Sequence, residues 1–227
     1  MINFPQPTFF PKGASLTEGV WTQILTPRTQ TQGRPALFLD RDGVLVEEAH
    51  YLHKVENVQL TPNAARVVKA ANTKNIPVIL VTNQAGIGYG YFQWDDFIAV
   101  QDKIIDELSA GGAHINGVFA CPFHAKGQTV YAADNHPARK PNPGMLILAQ
   151  SLMGIDLKSS WIVGDRSLDV LAGKNAGIFG AVHVSTGHGS NAGERAAALA
   201  IGDDKFTVRG CANLNEAHPM LDLLQGS

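Results

Sequence analysis

A chain of 227 residues with a formal net charge of −2 and a pI near 6.4 has no global attraction for nucleic acid or an anionic membrane, so any anionic ligand must be held by local groups. Two cysteines, Cys121 and Cys211, are too few for a disulfide framework, and no apolar run approaches the roughly 18 residues of a membrane span, so a reduced, soluble, cytoplasmic protein is expected. The length suits one sizeable core, with no composition break suggesting two equal halves.

Residues 1 to 34 are rich in Pro, Gln and Thr and read as an N-terminal appendage to a domain over 35–227. Within them, Ser15-Leu16-Thr17-Glu18 fits a capping box and predicts a helix running to about Leu25, with Phe9, Phe10 and Trp21 packing onto the body. Ala36 to Leu39 is a short apolar run ending abruptly in Asp40-Arg41-Asp42-Gly43, the pattern of a buried parallel strand whose carboxyl end opens into a site. If the strand continues through these residues, Asp40 and Asp42 share a face and Arg41 points away, with Gly43 permitting a tight turn.

Thr61-Pro62 reads as a helix start, and Ala64, Val67, Val68 and Ala71 form its apolar stripe. Pro77 to Val81 is a strand ending in Thr82-Asn83-Gln84, which makes a βαβ unit with the first. A helix over Asp95 to Leu108, a strand over Gly117 to Cys121 and an irregular stretch from Pro122 to Ala138 follow. Arg139-Lys140-Pro141-Asn142-Pro143 leads into a helix to about Met153, with Lys140 on a stiffened loop beside its N-terminus. Strands over Ser160 to Val163, ending in Gly164-Asp165, and over Phe179 to Val184 complete the pattern. This alternation predicts an α/β, three-layer, doubly wound parallel sheet of Rossmann type, with ligands bound beyond the carboxyl ends of the strands.

Four carboxylates (Asp40, Asp42, Asp165, Asp169), Lys140 and the pair Thr82 and Asn83 suit phosphoryl transfer better than hydride or acyl transfer. Oxygen-only ligands favour Mg²⁺ bridging Asp40, Asp165 and a substrate oxygen. Asp40 is the candidate nucleophile, Asp42 the general acid/base, and Thr82 with the backbone N–H groups after it the holder of the phosphoryl oxygens.

Asp40-Arg41-Asp42-Gly43, Val81-Thr82-Asn83-Gln84, Arg139-Lys140-Pro141-Asn142-Pro143-Gly144-Met145 and Val163-Gly164-Asp165 together resemble, in order and spacing, the four motifs of the haloacid-dehalogenase (HAD) phosphatases. More closely they resemble the branch containing D-glycero-D-manno-heptose 1,7-bisphosphate phosphatase and histidinol-phosphatase. The resemblance covers about Pro35 to Gly187. It implies a sheet with no large cap domain, an aspartyl-phosphate intermediate on Asp40, Asp42 as acid/base with a backbone carbonyl to the metal, Thr82 on the phosphoryl group, Lys140 as stabiliser, Asp165 as a further Mg²⁺ ligand and Arg139 as a substrate contact. The implied activity is Mg²⁺-dependent hydrolysis of a small phosphorylated sugar, with heptose 1,7-bisphosphate the best single choice. Histidinol-phosphate hydrolysis, or a catalytically silent phospholigand-binding module, are the alternatives. A monomer or small homo-oligomer is expected.

The chain departs from that branch in two places. The second motif continues Gly86-Ile87-Gly88-Tyr89-Gly90 where the heptose enzymes have Gly-Ile-Ala-Arg-Gly, so a basic residue is missing. Where many relatives carry a zinc loop, Cys121 alone stands at a ligand position, while Phe123, His136 and Ala138 replace the other three ligands. His124, His136 and Asp134 do not match the pattern. A structural zinc is therefore not expected.

Overall fold

A computed structural model describes residues 3–225. Eight strands form one sheet: β1 (Ala14–Thr17), β2 (Val20–Ile24), β3 (Leu37–Leu39), β4 (Val78–Asn83), β5 (Gly117–Cys121), β6 (Trp161–Gly164), β7 (Gly180–Val184) and β8 (Thr207–Cys211). Their spatial order is β1-β2-β5-β4-β3-β6-β7-β8. From β5 to β8 every pairing is parallel, and β1 and β2 add antiparallel at the β5 edge.

Strands buried on both faces need apolar side chains at consecutive positions, and Leu37, Phe38 and Leu39 are fully buried, as are Val78 to Val81 and Val118 to Cys121. The helices Ala64–Thr73, Trp94–Ala110, Gly144–Met153 and Ser167–Ala176 bury their apolar stripes against the two faces, giving the three-layer α/β architecture. The chain leaves β3 toward β4 on one side and comes back to β6 on the other, so the switch point lies between β3 and β6. Asp40 and Asp165 stand just beyond these two strands. Among the described residues no separate cap is inserted over that edge; the connections 44–60 and 122–143 are loops carrying isolated bridges. No described helix is long and apolar enough to cross a membrane.

The helix expected over 15–25 is instead the β1–β2 hairpin. Glu18 and Gly19 both have positive φ (51° and 79°), as a two-residue primed turn requires, and Thr17 pairs with Val20 across it. Backbone pairing with β5 and burial of Trp21 against Trp94 and Phe97 outweigh the local capping signal. The first 34 residues thus contribute two strands to the central sheet. Phe10 stacks on Trp21 as expected, whereas Phe9 stays exposed. The helix expected from Thr61-Pro62 begins at Ala64, because the Thr61 hydroxyl is used inward, donating to the Val44 carbonyl at 2.7 Å. β8 and the helix Glu194–Leu199 were not foreseen.

Candidate active site

The carboxyl edge of β3, β4 and β6 forms the floor of a cavity of about 250 Å³. Asp40, Asp42, Thr82, Asn83, Lys140 and Asp165 line it, and Arg139 stands on its wall with Arg166, His188, Tyr51, Tyr89 and His124. Asp40 and Asp165 arrive there because β3 and β6 end one residue earlier, Thr82 and Asn83 close β4, and Asp42 and Lys140 come from the loops after β3 and before the helix Gly144–Met153.

Lys140 is 1% exposed, yet its ammonium is neutralised on two sides. Its Nζ lies 2.9 Å from Asp40 Oδ1 and 2.7 Å from Asp169 Oδ1, and it donates to the Val81 carbonyl at 2.7 Å. Burial alone would lower the Lys140 pKa, but the Asp169 and Asp40 charges outweigh it and the net shift is upward. Asn83 fixes the loop that carries this lysine: its side-chain amide donates to the Lys140 carbonyl and accepts from the Lys140 N–H, both at 3.1 Å. Asp169 is also held by the helix it opens, accepting from the Arg166 N–H at 3.0 Å.

Asp40, Asp165 and Asp169 bring carboxylate oxygens within 4.8 Å of one another. Burial pushes the Asp40 carboxyl up to about 7, with the Lys140 charge opposing it. Asp165 is pushed up to about 8 by burial and by Asp40 and Asp169, against a 2.7 Å hydrogen bond donated by the His188 N–H. Oδ1 of Asp165 is buried with no hydrogen-bond partner among the described residues. Clustered oxygen donors, one of them unpartnered and all costly to ionise together, fit a hard divalent cation of the Mg²⁺ type. Backbone packing enforces the cluster: Gly43 (φ 79°) and Gly187 (φ 53°) press against Asp165, and a Cβ at either would stand 2.4 Å from its Oδ2.

Asp42 is placed differently from the sequence expectation. β3 ends at Leu39, and the Arg41 carbonyl accepts from both Leu45 and Val46 N–H groups in a tight turn, so strand alternation stops before Asp40. Arg41 does turn into the core, over the Phe97 ring at 5.5 Å, but its guanidinium reaches the Asp42 carboxylate: Nε lies 3.1 Å from both oxygens and Nη2 3.0 Å from Oδ1. Gln84 donates from Nε2 to Asp42 Oδ2 at 3.1 Å and to Thr82 Oγ1 at 2.8 Å. The Gln84 N–H, expected among those facing a phosphoryl group, donates to the Cys121 carbonyl instead. On the wall, Arg139 donates to the Phe123 carbonyl at 2.8 Å, and Tyr89, at the position of the missing basic residue, has its hydroxyl 2.9 Å from His124 Nδ1.

Sequence reasoning named Asp169 only as one carboxylate among four and missed Gln84, His188 and Gly187. The available signal for the first was Asp169 in the opening turn of the helix Ser167–Ala176, directly after the strand end at Asp165; the others act through contacts distant in sequence. In the unmatched zinc loop, His124 Nδ1 also accepts from the Lys126 N–H, Asp134 is exposed, and Cys121 Sγ sits 3.9 Å from His136 Nδ1, under a Phe123–His136 stack at 3.7 Å.

Comparison with known proteins places the chain among relatives of known name. Residues 137–206 match the HAD-hydrolase-like family. The D-glycero-beta-D-manno-heptose-1,7-bisphosphate 7-phosphatase of Mesorhizobium japonicum is 42% identical over 164 residues, spanning 72% of this chain and 76% of the relative. That of Pasteurella multocida is 37% identical over 68% of this chain and 83% of its own length. Among solved structures, a candidate HAD-like phosphatase from Mesorhizobium loti superposes with a TM-score of 0.81 at 33% identity, covering 95% of this chain and 97% of its own. D,D-heptose 1,7-bisphosphate phosphatase from B. bronchiseptica, solved with magnesium and phosphate, gives 0.71 at 26% identity over 85% of this chain and 99% of its own. By these relatives and by its fold, the chain belongs to the heptose-1,7-bisphosphate phosphatase family of HAD-like hydrolases.

Proposed function

We propose that this protein is a Mg²⁺-dependent phosphomonoester hydrolase acting on D-glycero-D-manno-heptose 1,7-bisphosphate at the 7-phosphate. The observation that carries the reading is the buried Lys140 ammonium set between Asp40 and Asp169, with Asp165 beside them, on the floor of a cavity sized for a small metabolite. Relatives that this chain matches over two thirds of its length carry that activity in their names.

Asp40 attacks phosphorus, forming the aspartyl-phosphate as the bond to the sugar oxygen breaks. Lys140 offsets the negative charge of the transferring group, and the Thr82 hydroxyl, accepting from Gln84, keeps its own proton free for a phosphoryl oxygen. Asp42 gives a proton to the departing sugar oxygen and takes one from the water that hydrolyses the intermediate, a role worth about 10²–10⁴-fold. Asp40, Asp165 and the Asp42 backbone carbonyl would hold Mg²⁺, with Asp169 adjacent. When bound, the ion neutralises charge on the nucleophile and the phosphoryl oxygens. Arg139 serves the substrate from the cavity wall, and Asn83 serves through the loop that carries Lys140. The reading places the enzyme in the cytoplasm as a monomer or small homo-oligomer, with neither nucleic acid nor membrane as partner.

Purified protein with Mg²⁺ is to be assayed on a panel of phosphorylated sugars and histidinol phosphate, scored by kcat/KM. Heptose 1,7-bisphosphate should lead the panel by at least about tenfold, with hydrolysis at the 7-position. Preference for histidinol phosphate, or no turnover of any member, overturns the proposal.

A further inference from the structure

Arg41 is an expensive residue where it stands. It is 1% exposed and has one ion partner, Asp42, while its Nη1 is buried without a hydrogen-bond partner among the described residues. Desolvating a guanidinium is costly, and an apolar side chain would fill the same space against Phe97 without that cost. Its position therefore asks what the fork does for the carboxylate it holds. Gln84, 4% exposed, completes the arrangement: Oε1 accepts from Arg41 Nη2 at 3.3 Å, and Nε2 bridges Asp42 Oδ2 and Thr82 Oγ1. A further donor contact ties Arg41 Nη2 to the Leu52 carbonyl at 3.4 Å. Both Asp42 oxygens are thus engaged by donors anchored in the core, and the same amide that holds Asp42 orients the Thr82 hydroxyl.

We propose that Arg41 and Gln84 are positioning residues that fix where the Asp42 carboxylate rests between its two proton transfers, and so set how well the enzyme expels a poor leaving group. A planar fork gripping both oxygens limits the carboxylate to one orientation, and Gln84 ties that orientation to the group that meets the phosphoryl oxygen. In the first half-reaction the Asp42 proton passes to the departing oxygen as the Asp40–phosphorus bond forms and the phosphorus–oxygen bond to the sugar breaks. In the second, water adds to phosphorus, its proton returns to Asp42, and the Asp40–phosphorus bond breaks. Loosening the holder should penalise the step that needs a delivered proton and spare substrates that do not need it.

This inference rests on the reading of Asp42 as the acid, so the test includes that residue. The ratio of kcat/KM for p-nitrophenyl phosphate to that for heptose 1,7-bisphosphate is measured for the unsubstituted protein, Asp42→Asn, Gln84→Met and Arg41→Lys, with thermal melting of each. Gln84→Met keeps the volume and removes the amide; Arg41→Lys keeps the charge and removes the fork. Both should raise the ratio at least about tenfold, in the same direction as Asp42→Asn and by less. If Asp42→Asn moves the ratio and the other two lower both substrates equally, the positioning role is overturned and the function stands. If Asp42→Asn itself leaves the ratio unchanged, the acid assignment fails and the inference with it. Should Arg41→Lys not fold, Gln84→Met alone decides.

Discussion

Asp40 is both the candidate nucleophile and a member of a crowded carboxylate cluster, and the two roles separate on substitution. Asp40→Asn should lower kcat by about four orders of magnitude or more, because an amide does not form the acyl phosphate. Its metal-free form should melt no lower than the unsubstituted protein, because relief of repulsion with Asp165 and Asp169 offsets the lost ion pair to Lys140. Turnover within tenfold of the parent would sink the covalent mechanism. Gly187 supports Asp165 from behind, and the space there has no room for a methyl group. Gly187→Ala should therefore raise the Mg²⁺ concentration for half-maximal activity by about tenfold or more, the scale seen for residues that orient metal ligands. A titration that superimposes on the parent curve would show that Asp165 has slack the packing does not suggest.

At the scale of elements, the hairpin is the part of the molecule whose role most needs a direct test. Trp21 in β2 is 1% exposed and stacks on Trp94 with ring centroids 5.6 Å apart. Trp21→Ala should cost about 3–5 kcal/mol, the range for removing a large aromatic from a core, as measured by denaturant unfolding. A loss below about 1 kcal/mol would mean that the hairpin is dispensable to the core. The same hairpin marks the limit of what local sequence reveals. β3 to β7 were legible because apolar runs bounded by Gly, Pro or charge are unambiguous where both faces of a strand are buried. The first 25 residues were not, since Ser15 and Glu18 satisfy a helix-start pattern while the pairing that defeats it comes from β5, nearly a hundred residues on. β8 was missed because it contains Arg209 and Gly210 and is mostly half-buried. In the site, Asp40, Thr82, Lys140 and Asp165 were legible as strand-end and loop residues. The Arg41 grip on Asp42 was hidden by the assumption that the strand continued, and it depends on Gln84, in another strand's wake.

For the whole molecule, the raised carboxyl pKa values make stability depend on pH in a direction that can be worked out. Asp40 at about 7 and Asp165 at about 8 retain protons in the folded chain that the unfolded chain, with values near 3.8, releases. The unfolded state binds fewer protons between these limits, so the contribution of both groups is fully present below about pH 4 and is lost as pH rises through 7 to 8. Lys140, shifted upward from 10.5, stays charged throughout and adds no slope there. Melting temperature in EDTA should fall between about pH 5.5 and pH 8, and the stabilisation by Mg²⁺ should widen over the same interval as the ion takes the place of the protons. A Mg²⁺ effect that does not vary with pH would contradict the arrangement. The stacked indoles of Trp21 and Trp94 have one more consequence, an optical one. Two buried chromophores at this separation, inclined by 22° and carried by different elements, couple their electronic transitions. Near-ultraviolet circular dichroism, which reports fixed aromatic packing, will therefore carry a signature of the docked hairpin. Trp21→Phe abolishes that signature without touching the cavity, while the third indole, Trp161, keeps its separate environment beside Phe179 and Arg209.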